Sequence, residues 1–130
     1  MLGWLQKRLR AVRAPKEGPT CSVRLTEDGF TFHELGKPAT PVCVTWAGVE
    51  EVRAFKRDLF ACDMICLGVV YGGGDYVEVW ERDYGYGDWL KAMEAHLPGI
   101  AANWWDKVAF PAFAANETLL YRRDAEGHRL

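Results

Sequence analysis

Cysteine and histidine are the residues with which this chain can do covalent chemistry. It contains four cysteines, three histidines and a single serine, Ser22. Ser22 lies in a predicted strand, without the strand-to-helix elbow that surrounds many serine nucleophiles. A thiolate–imidazole pair of Cys21 or Cys43 with His33 is an alternative, because these residues fall on neighbouring predicted strands. We expect packed thiols and a surface histidine instead, and we predict that the protein is not an enzyme.

Cys62 and Cys66 have a spacing that can suggest a metal site. Their surroundings are rich in Ile, Val and Tyr, which predicts a strand. In a strand their Cα atoms lie ~13 Å apart at ~3.3 Å per residue, too far for both sulfurs to bind one zinc ion. The glycines 72–74 precede another predicted strand and lack the pattern of a phosphate-binding loop. We therefore predict no metal, no cofactor and four reduced cysteines, as is usual in the cytoplasm.

Charge is divided unequally along the chain, whose overall net charge is −2. Segment 1–16 carries five basic residues and a net +5, whereas residues 17–130 carry 11 basic and 18 acidic residues and a net −7. Between residues 58 and 97, eight acidic side chains stand against two basic ones, among six Tyr and Trp residues. A body with this charge repels phosphates, so we predict no nucleic-acid partner.

This acidic and aromatic segment predicts the docking of a basic protein. Carboxylates steer a cationic partner, and Tyr and Trp provide a large contact area at low entropic cost. No histidine or apolar pocket is paired with these carboxylates to tune one of them as a catalytic acid. The predicted partner-binding residues are Asp75, Tyr76, Glu78, Trp80, Glu81, Asp83, Tyr84, Tyr86 and Asp88.

The segment 1–16 predicts a short basic amphipathic helix. Leu2, Leu5, Leu9 and Val12 fall on one face at helical spacing, and no apolar block or cleavage site of a secretory signal follows. Such a helix can pack on the sheet of its own domain, lie on an anionic membrane or pair with another chain. Its candidate membrane or partner contacts are Trp4, Lys7, Arg8, Arg10 and Arg13.

Residues 17–130 predict a single α+β domain. Alternating apolar and polar residues indicate six or seven strands joined by hairpins, with the firmest turn at Asp28-Gly29. Residues 62–71 are apolar on both faces, and with 76–81 they are expected to form the centre of the sheet. Asp88 is expected to cap a helix over 89–97. The expected fold is one curved antiparallel sheet with this late helix packed on it.

Several segments resemble a group of small uncharacterised bacterial proteins over roughly residues 21–123. They are the run from Trp46 to Phe60, the run Asp63-Met64-Ile65-Cys66-Leu67, the helix end Leu97-Pro98-Gly99, Trp105 with the run 109–113, and Leu120-Tyr121-Arg122. The curved sheet is also similar to pleckstrin-homology-like domains and to immunity proteins of bacterial toxin systems. The acidic body with its aromatic residues predicts a cytoplasmic protein-binding module, specifically an immunity protein that neutralises a cationic bacterial toxin. The alternative is a pleckstrin-homology-like membrane-surface adaptor anchored by the basic N-terminal helix.

Overall fold

The computed structural model describes residues 21–36, 40–58, 63–110 and 116–123, in which seven strands and two helices are found. Three strands make the first sheet, in the order β1-β2-β3, and four make the second, in the order β6-β5-β4-β7. The elements in chain order are β1 Cys21–Leu25, β2 Gly29–Glu34, β3 Val42–Thr45, β4 Val49–Asp58, β5 Asp63–Tyr71, β6 Asp75–Trp80, α1 Tyr86–His96, α2 Trp104–Ala109 and β7 Thr118–Arg122.

The α+β class and the antiparallel pairing are confirmed, but the single curved sheet is wrong. A 3₁₀ turn at Trp46–Gly48 separates the two sheets, and the Gly48 N–H donates to Oγ1 of Thr45 at 3.1 Å. This corner turns the chain away from β3, so β4 pairs with β5 along nearly its whole length. The predicted N-terminal helix lies outside the described residues.

The centre of the second sheet consists of β4 and β5, not of β5 and β6 as expected. β4 pairs with β5 on one side and with β7 on the other, which places β6 at an edge. β7 returns to β4 only after both helices, a long-range pairing that local alternation does not reveal. The expectation that residues 62–71 are covered on both faces is confirmed for the described part, because every β5 residue from Met64 to Val70 is buried.

The late helix begins earlier than predicted. Gly85 is its N-cap residue, with a left-handed backbone (φ 84°), and Asp88 lies in the first turn instead. Gly85 packs so closely on β1 that a Cβ atom there would collide with the Val23 carbonyl oxygen. A residue without Cβ is therefore required where α1 starts.

Aromatic contacts join the first sheet to α1. The ring centroids of Phe30 and Trp46 are 5.1 Å apart, and those of Phe30 and Trp89 are 5.6 Å apart. The same core includes the inner face of the second sheet, through residues such as Leu67 and Val79. One continuous core thus holds both sheets and α1 together.

Gly85→Ala should destabilise the protein by about 2–3 kcal/mol, because it introduces both a strained φ and a backbone clash. Gly87→Ala is the matched control. Gly87 lies two residues later in α1 with open space around its Cα, so alanine there should be neutral or stabilising by up to about 1 kcal/mol. Urea denaturation measures both; similar losses of stability in the two variants would contradict the close approach of Gly85 to β1.

Candidate functional site

The predicted partner-binding residues are divided among three places in the structure. Tyr76, Glu78 and Trp80 lie on β6, the turn that follows holds Glu81 and Asp83, and α1 begins with Tyr86. Asp75 stands at the opposite end of β6, ~16 Å from Trp80 at ~3.3 Å per residue. The nine residues therefore do not form one continuous surface.

Glu78 accepts hydrogen bonds from three side chains. Arg57 donates to both carboxylate oxygens, at 2.8 and 3.1 Å, and the Tyr76 hydroxyl donates at 2.8 Å. Nε1 of Trp80 donates to the same carboxylate at 2.5 Å. The Glu78 side chain is only 5% exposed. A buried carboxylate with this many donors is a structural anchor, since both of its oxygens already have partners.

The pKa values of neighbouring groups reflect this arrangement. Burial, and then the charge of Glu78, raise the pKa of the Tyr76 hydroxyl, which keeps it protonated as a donor. Burial lowers the pKa of the Arg57 guanidinium, but its hydrogen bonds to Glu78 and the Glu78 charge outweigh burial, and the net change is upward. Arg57 is therefore a permanent cation beside Glu78.

The carboxylates of the turn after β6 also have structural partners. Oδ2 of Asp83 accepts from the Trp80 N–H at 2.8 Å, and Asp83 is 5% exposed. Oε1 of Glu81 accepts from the Ile65 N–H, and the Glu81 N–H donates to the Ile65 carbonyl, both at 3.1 Å. Glu81 thus extends the pairing of β5 and β6 beyond the end of the strand.

Tyr84 and Asp88 are the two predicted residues that are exposed and lie at the same place. Tyr84 is 60% exposed, and Asp88 is exposed in the first turn of α1. Tyr86 is half-buried and packs against Trp89, and burial followed by the charge of Glu81 raises the pKa of its hydroxyl. Asp75 and Glu81 are exposed as well, but Asp75 lies at the far end of β6 and Glu81 accepts from the Ile65 N–H, so Tyr84 and Asp88 are the exposed pair at one place.

These two residues line a groove of about 490 Å³ between β1 and the start of α1. Two further exposed apolar side chains line it, Leu25 at 46% exposure and Leu35 at 38%. Large apolar side chains gathered in one exposed concave site are typical of a binding surface. The complete lining is Ser22, Val23, Arg24, Leu25, Leu35, Tyr84, Gly85 and Asp88.

The floor of the groove is the outer edge of β1. The Val23 N–H donates to the Tyr84 carbonyl at 2.8 Å, and Ser22 forms a single parallel bridge with Tyr84. Because backbone groups alternate in an antiparallel pair, the N–H and C=O of Leu25 point to the same edge as those of Val23. The bridge ends as α1 begins, so within the described ranges no strand pairs with the edge at Leu25.

The sequence interpretation missed Leu25, Leu35 and Arg24. Leu25 alternates with Cys21 and Val23, which are buried, and this alternation predicts that Leu25 is buried as well. The strand ends at Leu25, however, and the core does not reach that far. Two leucines near the ends of one predicted hairpin, at Leu25 and Leu35, were the signal that could have indicated an exposed apolar site.

Cys21, Cys43 and Cys66 are not in disulfide bonds; Cys21 and Cys66 are buried and Cys43 is exposed. His33 pairs with Ser22, and Cys43 pairs with Thr31, so His33 and Cys43 occupy diagonal positions on one sheet face. Among the described residues, no group of three His, Cys, Asp or Glu residues lies close enough to hold a metal ion. The contacts predicted for Trp4, Lys7, Arg8, Arg10 and Arg13 lie outside the described residues.

The chain has no significant match to a protein-family model, to a curated protein or to a solved structure. In the part of the chain that the structure describes, no helix has the length and apolar character needed to cross a membrane.

Glu78→Gln should lower the free energy of unfolding by about 2–4 kcal/mol, because it leaves the half-buried guanidinium of Arg57 without its counter-charge. Asp75→Asn is the matched control, since it removes a carboxylate from an exposed position on the same strand. That control should stay within about 0.5 kcal/mol of the parent. Chemical denaturation monitored by circular dichroism measures both; equal stabilities would show that the Glu78 carboxylate is not a structural anchor.

Proposed function

We propose that this protein is a non-enzymatic protein-binding module that docks a basic partner in the groove beside β1. One observation carries the proposal: Leu25, Leu35 and Tyr84, all large and exposed, meet in one groove beside the carboxylate of Asp88. Aromatic and aliphatic anchors with an adjacent charge are the combination that dominates affinity at protein interfaces. The other acidic residues of 58–97 attract a basic partner from a distance, because residues 17–130 together carry a net charge of −7.

The partner segment suited to this groove is extended, with an apolar side chain and a Lys or Arg. An extended backbone can add to the β1 edge through the N–H and C=O of Leu25, in the manner of strand addition. Its apolar side chain contacts Leu25, Leu35 and Tyr84, and its cation pairs with Asp88. Arg24 lines the same groove, so a second basic residue beside it is disfavoured and the register of the partner is restricted.

A cytoplasmic immunity protein that neutralises a cationic bacterial toxin is the specific form of this proposal. The acidic body supports it, because electrostatic steering speeds the capture of a cationic protein. The groove supports it as well, since a neutralising protein must hold its target and not merely attract it, and Leu25, Leu35 and Tyr84 offer apolar contacts for doing so. In the test that follows, the purified partner is this toxin.

The test is the affinity of the purified partner for groove variants. Tyr84→Ala and Asp88→Lys should each raise the dissociation constant roughly tenfold or more, because one removes an apolar anchor and the other reverses a contact charge. Asp106→Lys is the matched control, because Asp106 is also an exposed acidic residue in a first helical turn, in α2. It should change the dissociation constant by less than about threefold at physiological salt.

Isothermal titration calorimetry at two salt concentrations measures these constants. Salt screens the attraction between the acidic body and a cationic partner, so the parent and every variant should bind more weakly at higher salt. If the partner docks in the groove, Tyr84→Ala should weaken binding at both salt concentrations, because it removes an apolar contact. If Tyr84→Ala and Asp88→Lys bind like the parent while Asp106→Lys does not, the groove is not the docking site.

A further inference from the structure

The first sheet has a solvent face opposite to the core. Cys21, Val23 and Phe30 point into the core and are at most 3% exposed. The residues that alternate with them along β1 and β2 point the other way. They are partly or fully exposed and comprise Ser22, Arg24, Thr31 and His33. This face of the sheet therefore meets water through polar side chains.

Strand pairing brings these four residues into one compact group, which we call the donor cluster. Ser22 pairs with His33, and Arg24 pairs with Thr31. Paired residues have Cβ atoms ~5 Å apart, and residues two positions apart on one strand are separated by ~6.6 Å. The four Cβ atoms thus mark the corners of a small rectangle. Ser22 and Thr31 occupy one diagonal, and Arg24 and His33 occupy the other.

Every side chain of the donor cluster can donate a hydrogen bond. Two are hydroxyls, one is a guanidinium and one is an imidazole. In the part of the chain that the structure describes, no hydrogen bond or ion pair engages these four side chains. By contrast, Arg53, Arg57 and Arg122 on the strands of the second sheet are all paired with glutamates. The donors of the cluster are therefore available to a ligand.

The donor cluster is locally positive in an acidic body. Residues 17–130 carry a net −7, yet the cluster contains Arg24 and no carboxylate. Asp88 lines the neighbouring groove, but among the described residues no ion pair joins it to Arg24. The cluster therefore attracts an anion, although the body as a whole weakens its binding. A single small anion suits this site, whereas a polyanion such as a nucleic acid does not.

We propose that the donor cluster binds one phosphate group, of free phosphate or of a small phosphate monoester. The diagonal from Ser22 to Thr31 is ~8 Å between Cβ atoms, about the span of a phosphate that accepts from a hydroxyl on each side. Arg24 pairs with the phosphate charge from one remaining corner, and His33 donates from the other. A carboxylate, with two oxygens, does not reach both hydroxyls and Arg24 at once. The site adjoins the groove but does not depend on protein docking there.

Titration of the full chain with inorganic phosphate, followed by nuclear magnetic resonance at constant pH and ionic strength, tests the site. The backbone amide signals of the donor cluster should shift and saturate in the millimolar range, while those of α2 stay unchanged. Acetate should bind at least roughly fivefold more weakly, because it forms fewer of the four hydrogen bonds.

Arg24→Gln should raise the dissociation constant for phosphate at least roughly tenfold, because it removes the cation of the site. Thr31→Val keeps the shape of the side chain but removes one hydroxyl, and should raise the constant roughly three- to tenfold. Lys107→Gln is the matched control, since it removes the same charge from an exposed position in α2. It should change the constant by less than about twofold.

Three results would each overturn the proposal: shifts that do not saturate with phosphate, equal effects of Arg24→Gln and Lys107→Gln, or acetate binding as tight as that of phosphate. Phosphoserine distinguishes the two sources of the phosphate group. An affinity close to that of inorganic phosphate shows that the site accepts monoesters, whereas binding at least roughly tenfold weaker restricts the site to free phosphate.

Discussion

Two-sided burial of the second sheet is the constraint on which the rest of the structure depends. β5 is apolar on both faces, so neither face can be left in water. Both helices and the first sheet cover the inner face through the core that contains Trp46 and Trp89. The outer face holds a smaller apolar cluster crossed by ion pairs, with Glu78 as the acceptor that fixes Arg57, Tyr76 and Trp80.

Because of this burial, much of the acidic and aromatic segment 58–97 has a structural role and is not an open docking surface. A run of carboxylates and aromatic residues suggests an open docking surface, yet Glu78 and Asp83 are buried acceptors and Trp80 is 0% exposed. Their role is to hold β6 and its turn in place, which positions Gly85 against β1 and so shapes the groove. The proposed docking site is therefore smaller than the segment, and the buried network supports it without touching the partner.

Local patterns predicted the elements well and their arrangement poorly. The Asp28-Gly29 turn and the two-sided burial of β5 are properties of neighbouring residues. Alternation along β6 places Val77 and Val79 on one face and Tyr76, Glu78 and Trp80 on the other, but it cannot show whether the second set meets solvent or another layer. That outcome depends on long-range pairing, as do the two-sheet arrangement and the position of β7. The groove escaped prediction because Leu25 lies on the apolar face of β1, at the point where the core ends.

Solvent paramagnetic relaxation in nuclear magnetic resonance can distinguish a buried Trp80 and Met64 from the exposed Tyr84 and Leu25 of the groove. An inert gadolinium chelate broadens the signals of protein groups according to their exposure to solvent. The signals of the Trp80 indole and the Met64 methyl should be as little affected as that of the Trp89 indole, while those of the Tyr84 ring and the Leu25 methyls should be strongly broadened. A Trp80 indole broadened as strongly as the Tyr84 ring would show that the outer face of the second sheet is open to solvent and that β6 is not buried on both faces.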